Sequence, residues 1–385
     1  MTATTTGTTP DSALARARRR DRRVYLRSHP LLFALLAATR GRPVRRIGRT
    51  LLVHESDAFR EALTRLPLDR TAAGTTGGAA RAALSATGAH DGGVLFDQEG
   101  SAHRSGRRGL AESLGTAGVE HLRAVWQPLL LRRLAPLAQG GEVDLVELAR
   151  EMSGSVVCAL LRSDADPTAV AHAAAEAAAA SVRSHLPGPR RPGAQAETAR
   201  STTRLTQLLG CADDALSAMV AVAAVNTTVA ALPRAAAWCA DAGLWDQAAD
   251  ETLRQDLADE LLRVTAPSPL LPRVAAADGT VGGCPVRSGD RLLLIARHAV
   301  GAHERDPDAH HPAEPDLAHL VFGAGPHTCP GARLARVQLA DVLASLTPHR
   351  PVVVRARVDR RAALPGWQSL TVRAGRPAHD PEARP

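Results

Sequence analysis

Apolar positions along most of this chain return every three to four residues, the period that lines up one face of an α-helix. Leu334, Val337, Ala340, Leu343 and Leu346 do so and predict a buried helix starting near Gly331. Further helices are predicted over His29 to Thr39, Glu55 to Leu63, Val143 to Leu161, Pro167 to Ala180 and Gln195 to Leu209. The longest runs from Asp214 to Ala240, and Pro233 inside it predicts a kink or an early end. Strand signals are short. Pro43 to Val53 alternates around a turn at Gly48, Gly282 to Asp290 reads as a hairpin continued by Leu292 to Ile295, and Pro351 to Val358 alternates again. Three prolines and two glycines interrupt the chain at His185 to Gly193. Thr71 to Gly93 reads as a mobile loop; Gly74 to Gly78 has no strand before it and no Lys after it, so it is no phosphate loop. The fold class is mainly α with a small β-region.

Composition narrows the class. No polar linker divides the 385 residues, so residues 27–385 read as one domain. Residues 1–26 are Thr-rich and then Arg-rich (Arg16, Arg18, Arg19, Arg20, Arg22, Arg23) and read as a solvated, partly disordered arm. Aromatics make up 2%, which leaves the core to Leu, Val and Ala. Cys158, Cys211, Cys239, Cys284 and Cys329 have no paired spacing, which fits a reducing cytoplasm better than a disulfide framework. No signal peptide is evident, and the early apolar run Leu31 to Ala38 is too short to span a bilayer. The net charge of +8 is carried by arginine alone. With no aromatic-studded basic stripe and no helix-turn-helix signal, it points to an acidic protein partner rather than nucleic acid. His298, His303, His310, His311 and His319 crowd one loop; without a Cys-x-x-Cys pair they read as solvated rather than zinc-binding.

The chemistry gathers at Cys329. It ends a glycine-rich turn and precedes the Leu334 helix, where the dipole and free N–H groups favour thiolate. Gly323 and Gly325 let the loop pass close to a flat ligand, and Gly331 removes a side chain beside the sulfur. This is a pocket for one thiolate ligating the metal at the centre of that ligand. Upstream, His103 and Arg107 lie four apart on one helical face, Asn226 and Thr227 sit in the Ala-rich long helix, and Glu260 and Arg263 are spaced to pair.

Phe322, Gly323, Gly325, His327, Cys329, Gly331, Leu334, Ala335 and Arg336 together resemble the haem-binding loop of the cytochrome P450 family. The resemblance extends over residues 27–375 and implies the P450 fold with haem b. It makes Cys329 the axial ligand of iron. Phe322, Gly325 and Gly331 would shape the cofactor loop, and His103, Arg107, Arg273 and His327 would hold the propionates. Small Ala223 and Ala224 would line the distal face, with Thr227 bonding dioxygen. Two positions depart from the pattern: Asn226 stands where the family has an acid, and Ala224 where it has glycine. Glu260-Leu-Leu-Arg263 implies a structural lock, Ala302 to Pro307 the turn before the haem loop, and Gly366 to Val372 a hairpin dipping into the substrate pocket. The segment from Ser181 to Gln195 falls where the family has its substrate-entry lid.

The implied activity is a soluble, cytoplasmic, monomeric haem-thiolate monooxygenase of secondary metabolism. It would insert one oxygen atom from O2 into a small apolar substrate, with electrons from a ferredoxin-type donor. That donor would dock on a basic face containing Arg104, Arg108, Arg333 and Arg336; neither nucleic acid nor membrane insertion is implied. Two alternatives stay open. One is a P450-fold enzyme that couples, rearranges or uses peroxide, favoured by Asn226 because an amide cannot carry a proton at neutral pH; the other is a non-catalytic haem-binding protein.

Overall fold

The computed structural model describes residues 10–85, 100–185, 193–210 and 215–375. The chain opens with helices α1 (Pro10–Ser28) and α2 (Pro30–Thr39), the hairpin β1 (Val44–Ile47) and β2 (Thr50–Val53), then α3 (Ser56–Thr64) and α4 (Thr76–Ser85). Next come α5 (Gly100–Leu114), α6 (Thr116–Ala138), the short β3 (Glu142–Asp144), α7 (Leu145–Leu161), α8 (Pro167–His185), α9 (Ala194–Leu209) and α10 (Ala215–Ala242). The last third holds α11 (Trp245–Ala249), α12 (Arg254–Thr265), β4 (Leu271–Val274), β5 (Gly279–Val281), β6 (Cys284–Val286), β7 (Arg291–Leu294), α13 (Ala296–Ala299) and α14 (Pro315–Ala318). It ends with α15 (Ala332–Leu346), β8 (Val352–Asp359) and β9 (Gly366–Arg373).

Local chemistry sets several of these boundaries. Glu55 caps α3 by accepting the Asp57 and Ala58 N–H groups at 2.9 Å each. Asp144 caps α7 through Val146 N–H at 2.8 Å, and α7 ends at Arg162 in the left-handed region. Gly48, at φ 57°, turns the first hairpin. Gly154 lets α7 meet the start of α8, since a Cβ there would lie 2.0 Å from the Pro167 carbonyl oxygen.

The sheets close the chain on itself. One runs in the order β1-β2-β7-β4, with β2 parallel to β7 (Leu51 opposite Leu292), which joins the first strands to the last third of the chain. The others are β3-β9-β8 and β5-β6. The main core gathers α6, α7, α10, α12 and α15 around Trp126, Met152, Leu257, Leu261 and Leu343. Trp126 Nε1 donates to Asp341 at 2.9 Å, and Arg123 grips the same carboxylate with two nitrogens at 2.8 and 2.7 Å, which locks α6 to α15. Glu260 and Arg263, both buried, pair at 2.8 and 2.6 Å. Arg263 also reaches the carbonyls of Val300 and Gly301 at 3.3 Å, fixing the approach to the cysteine loop.

Four expectations change. Residues 10–26 form no solvated arm: Ala17, Asp21, Val24 and Tyr25 of α1 are buried against α10. Asp21 binds Arg234 at 2.6 Å, and Arg297 completes an ion pair on its other oxygen at 3.0 Å. Pro233 does not end the long helix, which continues to Ala242. Thr71 to Ser85 contains α4; residues 86–99, and most of the expected entry lid at 186–192, lie outside the described residues. His298 is not simply solvated. Its Nδ1 lies 2.8 Å from Nδ1 of buried His54, and His303 packs against it with ring centres 5.0 Å apart. Among the described residues no group of three or more potential ligands is placed to hold a metal ion.

Candidate functional site

The loop before α15 is closed by its own backbone. Cys329 N–H donates to the Phe322 carbonyl at 2.8 Å. Gly323 and Gly325 take φ values of 82° and 71°, and a Cβ on Gly325 would stand 3.2 Å from the Leu63 carbonyl oxygen. Only glycine accepts both constraints. The Phe322 ring lies under Arg336, whose guanidinium carbon is 5.2 Å from its centre. Arg336 also binds Asp259 at 2.7 Å, so it is a buttress of the loop rather than a free docking cation. At Gly331 a Cβ would rest 3.8 Å from the Cys329 sulfur.

Cys329 is exposed on one side and walled by protein on the others. Burial pushes its thiol up, and the Gly331 N–H and the Arg107 charge offset this only in part. Burial thus works against the thiolate that the helix terminus favours. Metal coordination deprotonates such a thiol outright.

Four predicted side chains converge beside it. His103 of α5, 4% exposed, stacks on His327 with ring centres 4.0 Å apart. Arg107, one turn further along α5, donates to the Thr328 carbonyl at 2.6 Å. Arg273 of β4 donates to Pro272 at 2.8 Å, while its Nε is sealed from solvent with no partner. Burial, and then the charge of Arg70, bring the Arg273 guanidinium down to about 10. His327 is held down to about 3 by burial and by Arg70, His103, Arg273 and Arg107 in turn. Arg70 belongs to this group and was missed, because a single arginine ahead of a loop carries no motif. Neither Arg107 nor Arg273 has a carboxylate partner among the described residues. Such a concentration of cations calls for an anionic ligand with more than one carboxylate.

On α10, Ala223, Ala224 and Thr227 are half-buried. The Thr227 hydroxyl donates to the Ala223 carbonyl at 2.8 Å. Asn226, about 100° further round the helix, uses its amide N–H groups on Val222 at 2.7 Å and on Ala174 of α8 at 3.3 Å. The amide is a tether between α8 and α10, and nothing in its place titrates. Behind it lies a 520 Å³ cleft bounded by α8, α9, α10 and the β8–β9 turn.

Comparison with known proteins agrees with this geometry. The sequence profile described as Cytochrome P450 matches residues 245–349. The mycinamicin VIII C21 methyl hydroxylase of Micromonospora griseorubida is 35% identical over 131 residues, 32% of this chain and 31% of that protein. Cytochrome P450 105C1 of a Streptomyces species is 35% identical over 112 residues, 27% of this chain and 28% of that protein. The aligned part thus spans less than a third of either relative. Solved structures align more widely. P450BioI in complex with hexadec-9Z-enoic acid ligated acyl carrier protein superposes with a TM-score of 0.71 at 16% identity, covering 91% of this chain and 99% of that one. The mycinamicin hydroxylase bound to mycinamicin VIII gives 0.64 at 21% identity, covering 88% and 95%. The fold is that of the P450s, and the profile match falls on residues 245–349, the stretch that carries the cysteine loop. The family's cofactor is haem b, held by a cysteine thiolate. The residues present suit that group: an accessible thiol, a loop opened by glycines, and Arg107 and Arg273 without carboxylate partners among the described residues.

Proposed function

We propose that this chain is a haem-thiolate monooxygenase that inserts one oxygen atom from O2 into a small apolar molecule of secondary metabolism. The observation that carries the reading is the convergence of Arg70, His103, Arg107, Arg273 and His327 beside the Cys329 thiol. Cys329 Sγ would ligate the iron, and the cations would bind the propionates. Phe322, Gly325 and Gly331 shape the loop that carries the thiolate. Haem, when bound, supplies the redox chemistry of oxygen activation.

The rest falls to the chain. Ala223 and Ala224 keep α10 free of bulk where dioxygen and substrate would meet it. The Thr227 hydroxyl points its hydrogen at Ala223, which leaves its oxygen lone pairs free to accept a proton or a water hydrogen bond. Asn226 orients and does not donate a proton, so protons reach Thr227 through water. Arg104, Arg108 and Arg333 are exposed and suit an acidic, ferredoxin-type electron donor. The unpaired thiols of Cys158, Cys239 and Cys284 suit a reducing cytoplasm. Relatives named as a mycinamicin hydroxylase and a 20-oxo-5-O-mycaminosyltylactone 23-monooxygenase support secondary metabolism.

The reading is tested by the reduced carbon-monoxide complex. The wild type should show the red-shifted absorption of thiolate haem, and Cys329→Ser should lose it. An imidazole-type spectrum in the wild type would sink the assignment. A second reading, oxidative coupling, rearrangement or peroxide use, is favoured by the Asn226 tether. Turnover with peroxide but none with a reductase and NADPH would select it.

A further inference from the structure

The 520 Å³ cleft behind α10 lies apart from Cys329 and the cations beside it. Of the residues that line it, Asn226 and the Gly366–Trp367 start of β9 were candidates from the sequence. Its volume falls within the range of small-molecule sites. The floor is apolar, built by Ala175 and Ala179 of α8, Val225 and Val229 of α10, Leu364 of the β8–β9 turn and Trp367 of β9. Its polar groups are few and spaced apart. Trp367 is 3% exposed, and its indole N–H has no partner. Asn226 spends both amide hydrogens on carbonyls, which leaves its side-chain oxygen as an unused acceptor.

The rim decides the charge of the occupant. Arg204 is engaged by Glu176 at 3.0 Å and Arg150 by Glu147. Asp359 caps its own turn through the N–H groups of Arg361 and Ala362 at 2.8 and 3.0 Å. Arg200 is exposed on α9, lines the cleft and makes no ion pair among the described residues. An uncommitted guanidinium at the mouth, an apolar floor and a buried donor inside match an organic acid with an apolar body.

We propose that this cleft is a second ligand site, separate from the haem cleft, that takes an apolar carboxylate with its head on Arg200 and its body along Val225, Val229 and Trp367. The occupant would lie against Asn226, one residue from Thr227, so binding there has a direct mechanical route to the distal helix.

The test uses purified holoprotein saturated with 4-phenylimidazole, which occupies the iron side of α10, titrated with octanoate in a calorimeter. One equivalent of octanoate should still bind, and octylamine, of similar length but cationic, should not. Arg200→Glu should weaken octanoate at least about tenfold, as loss of a charge-assisted contact requires. Ala175→Phe should block the floor. Both variants should keep the wild-type spectral response to the azole. The proposal is overturned if octanoate fails to bind the azole-saturated protein, or if Arg200→Glu and Ala175→Phe bind it as the wild type does. Because calorimetry counts octanoate whether or not the azole reaches an iron, failure here is distinct from failure of the haem assignment.

Discussion

Arg273 should act in opposite directions on the haem-free and the haem-loaded protein. Its guanidinium is half-buried, its Nε is sealed without a partner among the described residues, and the charge it feels is another cation, Arg70. Burial and the Arg70 charge lower it from its ordinary value to about 10, so the folded haem-free chain holds this proton less tightly than the unfolded chain does. Below pH 10 the group is charged in both states, and the folded state carries the whole difference. That difference is about 3 kcal/mol as an upper bound. Solvent at the half-open site reduces it to about 1–3 kcal/mol. Arg273→Met keeps the length and the apolar stem and removes the charge. Urea unfolding of the haem-free variant should show a gain of that order. Haem loading should reverse the sign, because a propionate loses a charge-assisted partner that contributes about 1.5–3 kcal/mol. The readouts are the urea midpoint without haem and the rate of haem transfer to an acceptor globin. If Arg273→Met destabilises the haem-free chain, or leaves the haem transfer rate unchanged, the cation cluster is not a carboxylate site.

Asp21→Ala should cost about 3–5 kcal/mol, because it strands Arg234, which is 1% exposed. Asp21→Ala with Arg234→Met should cost much less than the sum, and additivity in urea would show that the pair is not coupled. His54 and His298, lowered to about 4 and about 3 chiefly by burial, stay neutral when folded and titrate near 6.5 when unfolded. Stability is therefore full above pH 6.5 and falls as pH drops from there toward 4, by about 2 kcal/mol for each histidine and about 4 kcal/mol for the pair between pH 7 and 5. His54→Leu should flatten that profile, and an equal acid slope in the variant would assign the loss elsewhere. Asn226→Asp places an acceptor-only carboxylate against the carbonyls of Val222 and Ala174, so it should cost about 1–3 kcal/mol in thermal or urea unfolding. If the variant is as stable as the wild type, the amide is no tether. Thr227→Ala should raise peroxide leakage relative to product, and unchanged coupling would remove Thr227 from proton handling.

The Cys329 loop, the His103–Arg107 pair beside it and most helices were legible because each rests on short-range pattern: glycine spacing, an i,i+4 pair, an apolar stripe. What sequence hid was long-range. Arg70 joins the site only through tertiary packing. His54 meets His298 across the chain, which no local period signals. In α1 the buried positions Ala17, Asp21, Val24, Tyr25 and Ser28 do follow a helical stripe, but a carboxylate in its middle and seven arginines around it mask the period. That carboxylate is buried because Arg234 lies on a distant helix. The early end expected at Pro233 fails for a related reason: α10 is packed by α1, α7 and α15, and tertiary contacts can hold a helix through a missing hydrogen bond.

The parallel pairing of β2 with β7 also has a consequence in time. Thr50–Val53 leaves the ribosome about 240 residues before its partner Arg291–Leu294. At a synthesis rate of about 5–20 residues per second, that interval is roughly 10–50 s. Throughout it the β1–β2 hairpin presents an open apolar edge, the kind of surface that recruits stray strands. The last strand of the sheet and the cysteine loop emerge close together, within about 40 residues. The nascent chain thus becomes able to close its sheet at nearly the moment it becomes able to hold a cofactor, and cofactor supply during translation should govern how much of the protein escapes aggregation.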